Sequence, residues 1–102
     1  MLLVNIDHIP GAQFEVLGLV EGSVVQSKDS LTDFATGLMK IAGGELKFDT
    51  ELLTEARQIA TQRMVEQAEQ LMADAVVNIR YATSQIGVGA EIVAYGTAVK
   101  YI

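Results

Sequence analysis

The chain has no cysteine and a single histidine. Disulfides, thiolate metal sites, iron–sulfur clusters and cysteine nucleophiles are therefore excluded, and one copy holds too few soft donors for a closed metal site. Basic residues are also scarce: seven Lys and Arg stand against 13 Asp and Glu, a net charge of −6. Such a balance offers no basic stripe to neutralise phosphates, so nucleic acid and anionic membrane surfaces are poor partners. No run approaches the ~20 apolar residues that span a bilayer. The opening MLLVNIDHIPG lacks the basic start and the long apolar core of a signal peptide. These absences predict a cytoplasmic protein that binds neither nucleic acid nor membrane.

What the chain does have is apolar surface. Ala, Val, Ile, Leu, Met, Phe, Tyr, Trp and Cys make up 50% of it before glycine is counted, an apolar share above the globular average. Its 102 residues fit one domain with one core. More apolar surface is present than one small core needs, so an assembly of copies is expected.

Leu2 to Ile6 reads as a short strand ended by the turn signal of Pro10-Gly11. Residues 14 to 26, FEVLGLVEGSVVQ, carry valine and leucine on both alternation phases, which predicts a strand covered on both faces. Gly18 and Gly22 within it signal a bulge or a close backbone approach. Ser30 and Asp33 open a helix in capping-box form, and Gly43-Gly44 closes it. A longer helix is predicted over residues 50 to 72, capped by Asp49. Its apolar residues, from Leu52 to Leu71, spread over about 180°, wider than the ~100° stripe that docks on one sheet. Glu51, Glu55, Gln62, Glu66 and Glu69 take the solvated side, while Arg63 and Gln67 fall inside the apolar arc. Those two lie either with their stems over apolar surface and their heads in water, or at a subunit contact.

Residues 74 to 102 read as a hairpin turning at 86 to 89. Pairing Gln85 with Ala90 and Ser84 with Glu91 sorts the side chains onto two faces. One face gathers Ala75, Val77, Ile79, Tyr81 and Thr83 opposite Ala98, Gly96, Ala94 and Ile92, a surface suited to a closely packed helix. The other gathers Val76, Asn78, Arg80, Ala82 and Ser84 opposite Val99, Thr97, Tyr95, Val93 and Glu91. Asn78, Arg80, Glu91, Tyr95 and Thr97 on this mixed face form the best candidate site. Interface comes first among its roles, then small-ligand binding, then catalysis, for no nucleophile with its base is evident. No Gly-x-Ser-x-Gly elbow surrounds any serine, and the Gly87-Val88-Gly89 run joins two strands, where a phosphate loop joins strand to helix.

The run GGELKFDTELLTEARQIATQRMVEQAEQLMADAVVNIRY, the later AYGTAV and the earlier LGLVEGSVV resemble the YbjQ family of small bacterial and archaeal proteins over nearly the whole chain. The most specific parts are Gly43-Gly44, Glu55-Ala56-Arg57 with Ala68, Ala75-Val76-Val77 and Tyr95-Gly96-Thr97-Ala98-Val99. Phe48 departs from a common aromatic hydroxyl, and Met72-Ala73-Asp74-Ala75 stands where the family usually has Gly-Ala-Asn-Ala. The resemblance implies one domain over residues 1–102 and an α+β fold. Its antiparallel sheet would carry helices on one face, as in a dodecin subunit, and five copies would close a ring over the other face.

The family label is heavy-metal-binding, yet it brings no ligand set that transfers onto these residues. Soft metals want sulfur and imidazole. Met39, Met64 and Met72 sit at helical spacing or helix ends and read as core filler, and His8 beside Asp7 reads as an exposed loop residue. The sequence thus predicts a homo-oligomer with an assembly or small-ligand-binding role, no cofactor, no metal and no enzymatic activity. Heavy-metal binding is the alternative, with an enzyme of unknown reaction behind both.

Overall fold

Valine-rich alternation and one long amphipathic segment become a four-stranded sheet with a helix on one face in a computed structural model of the chain. It describes residues 1–27, 47–86 and 89–102, with side chains over 1–25, 50–84 and 90–102. The helix predicted from Ser30 to Ala42 lies outside the described residues. The elements are β1 (Leu2–Leu3), β2 (Phe14–Ser27), α1 (Lys47–Gln70), β3 (Ala75–Ile86) and β4 (Gly89–Tyr101).

The sheet order is β1-β3-β4-β2. β3, β4 and β2 pair antiparallel, as expected, but β1 pairs parallel to β3, so the sheet is mixed rather than wholly antiparallel. The reason lies in the connection from β1 to β2. These strands occupy opposite edges, and the linking segment packs Val4 and Ile9, together with Phe14 of β2, against Ala75, Val77 and Val99. A turn at Pro10-Gly11 redirects the chain: Ala12 N–H donates to the Ile9 carbonyl at 3.0 Å, and Gly11 supplies φ 78°.

α1 is already helical at Lys47, so Asp49 lies inside the helix rather than at its cap. Ala56, Ala60, Met64 and Ala68 recur every fourth residue, are fully buried, and share a core with Val20, Val24, Ile92, Ala94 and Ala98. This stripe is narrower than the apolar arc, for Ile59 and Leu71 remain exposed. The five polar positions assigned to the solvated side are all exposed.

Gly22 sets how close the helix comes. A methyl group there would meet the Ala60 carbonyl oxygen, the Met64 backbone nitrogen and, at 2.7 Å, Arg63 Cβ. The helix backbone therefore rests on the strand where no side chain intervenes. Gly18, by contrast, accompanies a bulge: the β2–β4 register slips between Val16 and Gly18, and Gly18 has φ 147°.

The helix stops without its usual glycine. Ala73 N–H donates to Ala68 O at 3.0 Å and Met72 N–H to Glu69 O at 2.9 Å, the two bonds of a Schellman cap, with Met72 in the left-handed conformation at φ 61°. Lys100 Nζ donates to Met72 O at 3.1 Å, placing a cation at the negative helix end. Met72→Gly is therefore expected to raise stability by about 1 kcal/mol by relieving left-handed strain. In the same urea-unfolding measurement, Gly22→Ala is expected to lower stability by about 1–3 kcal/mol, since its methyl enters a filled site.

Candidate functional site

The face of the sheet away from α1 is ordered by the register into rows running β2 to β4 to β3. They are Val25–Glu91–Ser84, Ser23–Val93–Ala82, Glu21–Tyr95–Arg80 and Leu19–Thr97–Val77. A fifth row, Val16–Val99–Ala75, lies at the end packed by the N-terminal segment. That cover leaves the β2 end of the row open, and among the described residues Val16 is 66% exposed, Leu19 72% and Val25 63%. Strand β2 is thus buried on its helix side by Val20 and Val24, while within one chain its other face carries exposed Val16, Leu19 and Val25.

The hairpin register from Arg80 to Ile86 is the one the sequence predicts. Below Arg80 it slips by one residue, because Asn78 adopts φ 55° and β3 bulges between Val77 and Arg80. Each residue beyond the bulge changes face. Val76 joins the helix-side core, while Ala75 and Val77 join the cluster under the N-terminal segment, reversing the predicted assignment of all three. Gly96 completes the bulge, since a methyl group there would meet Val76 Cγ1 at 2.7 Å and Val77 O at 2.9 Å.

Four of the five candidate residues, Arg80, Glu91, Tyr95 and Thr97, hold register positions on the open face. Thr97 lies opposite Val77 instead of Asn78. Asn78 is the bulge itself, and its backbone N–H donates to Ile6 O at 3.0 Å. Arg80 Nη1 donates to Asn5 O at 2.8 Å and Ile79 O at 3.0 Å. Its guanidinium therefore ties the N-terminal segment to β3.

Outside this face, His8 Nδ1 and Asp7 Oδ1 lie 3.0 Å apart, a contact not expected of neighbours at a strand end. Residues 5 to 7 form a bend there, which lets the two side chains meet. Hydrogen bonding to His8 and its charge hold the Asp7 carboxyl below the usual carboxylate range. Met64 is buried core as predicted, whereas Met72 is 73% exposed at the helix stop.

A groove of about 470 Å³ between α1 and the β1–β3 side is lined by Leu3, Val65, Arg57, Gln58, Thr61 and Tyr81, among others. Sequence reasoning did not join these residues, because a helix face and a strand position come together there only in the fold. Thr61 Oγ1 donates to Arg57 O at 2.7 Å, so its lone pair receives the Tyr81 hydroxyl at 2.9 Å. Thr54 likewise donates to Thr50 O at 2.8 Å and receives Arg57 Nη2 at 3.1 Å.

A mixed sheet, one docked helix and an apolar face with charged rows define a small α+β protein, and comparison with known proteins gives its family. The YbjQ family model, described as "Putative heavy-metal-binding", matches residues 1–102. A UPF0145 protein of Clostridium novyi is 56% identical over the full length of both chains. One of Vibrio parahaemolyticus is 54% identical, covering 100% of this chain and 99% of its own. A third, of Thermotoga maritima, is 51% identical over 98% of this chain and 96% of its own. The chain belongs to the YbjQ family, whose relatives here carry the UPF0145 name. A crystal structure of a DUF74-family protein from Pediococcus pentosaceus has the same fold, with a TM-score of 0.72 at 14% identity, covering 100% of this chain and 98% of that one.

Arg80→Ala is expected to release the N-terminal segment. The loss should be about 1.5–3 kcal/mol, the usual worth of hydrogen bonds from a charged donor. Hydrogen exchange checks it: the Asn78 and Ile79 amides, bonded to Ile6 O and Val4 O, should lose protection while the Ala94 and Ala98 amides keep theirs.

Proposed function

We propose that the chain works as a homo-oligomer, a ring of five, in which neighbouring copies cover the bare rows of the open face. The observation that carries this is the exposure of Val16, Leu19 and Val25 beside half-exposed Tyr95 and Val93. Burying each Val or Leu yields about 1.5–3 kcal/mol, and exposed apolar side chains gathered on one face suit an interaction surface. The shape agrees: the radius of gyration is 16.7 Å, against about 13 Å for a compact domain of this length. Five is the number the family resemblance implies. The role is assembly without catalysis, a reading supported by the hydroxyls of Thr54 and Thr61, which are already committed to backbone carbonyls.

The groove beside Tyr81 favours a second role in binding a small carboxylate, since Arg57 offers further N–H donors next to the apolar walls of Leu3 and Val65. Native mass spectrometry reads both at once, as the number of copies and any small molecule retained. A ring of about 55 kDa is expected from five chains of 11.0 kDa. A mass of 11.0 kDa at micromolar concentration contradicts the proposal.

The family description raises heavy metals, and the donors of one chain do not suit them. Among the described residues no group of three or more His, Cys, Asp or Glu gathers, Met64 is sealed in the core, and His8 has only the Asp7 carboxylate beside it. Titration calorimetry with zinc, copper and cadmium is expected to show no stoichiometric binding. Submicromolar affinity that His8→Ala abolishes would instead mean that a ring gathers His8 from several copies into a site.

A further inference from the structure

We infer that Arg63 and Gln67 guard the free edge of β2 against pairing with the β2 edge of a second copy. β2 is the last strand of the sheet. Alternation along an antiparallel edge turns the backbone N–H and C=O groups of every second residue outward. In β2 these are Leu19, Glu21, Ser23 and Val25, because Glu21 N–H and Ser23 C=O bond to the helix instead of to β4. Glu21 N–H donates to Gln67 Oε1 at 2.9 Å, and Arg63 Nη1 donates to Ser23 O at 2.6 Å.

Both guards come from one helix face, four residues apart, and the close approach at Gly22 holds them over the edge, with Arg63 Cβ at 2.7 Å from where a glycine methyl would stand. The strand they cover needs protection. LGLVEGSVV carries one charge, no proline and three valines, the composition of a segment that recruits further strands when its edge is open. With its central donor and acceptor occupied by side chains, β2 cannot form an uninterrupted ladder with a second copy. Association is then left to the face of the sheet rather than to the edge, where a β2-to-β2 ladder, an isologous contact, would pair copies two by two and link one assembly to the next. This inference goes beyond the proposed ring, since it concerns the edge and holds for any number of copies.

The test replaces both guards by side chains of similar length that bury the same stems without hydrogen bonds, R63M/Q67M, and compares them with R63K/Q67E, which keeps a donor and an acceptor. Light scattering and thioflavin T fluorescence are followed against protein concentration. R63M/Q67M is expected to give species of at least about twice the wild-type mass, with more dye binding as concentration rises, while R63K/Q67E keeps the wild-type mass and stays dark. A wild-type mass for R63M/Q67M, or equal association of both variants, overturns the inference. If R63M/Q67M yields no folded protein, wild-type hydrogen exchange decides. The Glu21 amide should exchange at least about tenfold more slowly than the Leu19 amide on the same edge, and equal rates overturn the inference.

Discussion

The contact on which the rest depends is the seating of α1 against β2 at Gly22. A helix cannot approach a strand this closely through side chains, and here the Ala60 carbonyl and the Met64 amide lie where any larger residue would project. The surrounding residues are small to match: Ala56, Ala60 and Ala68 on the helix, Ala94 and Ala98 on β4. Close packing of small side chains gains less per residue than burial of leucines, but it brings many atoms into contact and fixes the helix in one position. That position then carries Arg63 and Gln67 to the strand edge.

Two bulges distribute the remaining side chains. At Gly18 the bulge lets Leu17 pack with the helix-side core while Val16 and Leu19 both take the other face. At Asn78 the left-handed residue lets Val77 and Arg80, three positions apart, share the open face. A regular strand would send them to opposite sides. The N-terminal segment then covers the lower rows through Val4 and Ile9 and receives Arg80 at its Asn5 carbonyl. One end of the face is thereby packed within the chain, and the other is left with exposed apolar side chains.

The chemistry of the family's metal description and the chemistry of this chain point in different directions. Soft cations are held by sulfur and imidazole in closed shells, whereas among the described residues the histidine sits exposed against one carboxylate, Met64 is in the core, Met72 is at a helix stop and Met1 is exposed. What the chain offers in quantity is apolar strand surface flanked by the Glu21–Tyr95–Arg80 row, in which charges of both signs border a tyrosine.

Much of the fold was legible in the sequence because it rests on local periodicity. The long strand, the second helix and the hairpin register from Arg80 to Ile86 follow from alternation, helical spacing and turn chemistry, as does the surplus of apolar surface. The glycines of the strand signal a bulge or a close approach without saying which is which, while the α+β class came from the family resemblance. The tertiary structure alone decided the parallel pairing of β1, since nothing local states which edge a two-residue strand will join. It also decided the faces of Ala75, Val76 and Val77, because a single left-handed Asn78 shifts every residue beyond it. The roles of Arg63 and Gln67 are of the same kind. The sequence places both on the apolar arc of a helix, but their hydrogen bonds go to a strand 40 or more residues away in the chain, and only the depth of the helix at Gly22 brings that edge within reach.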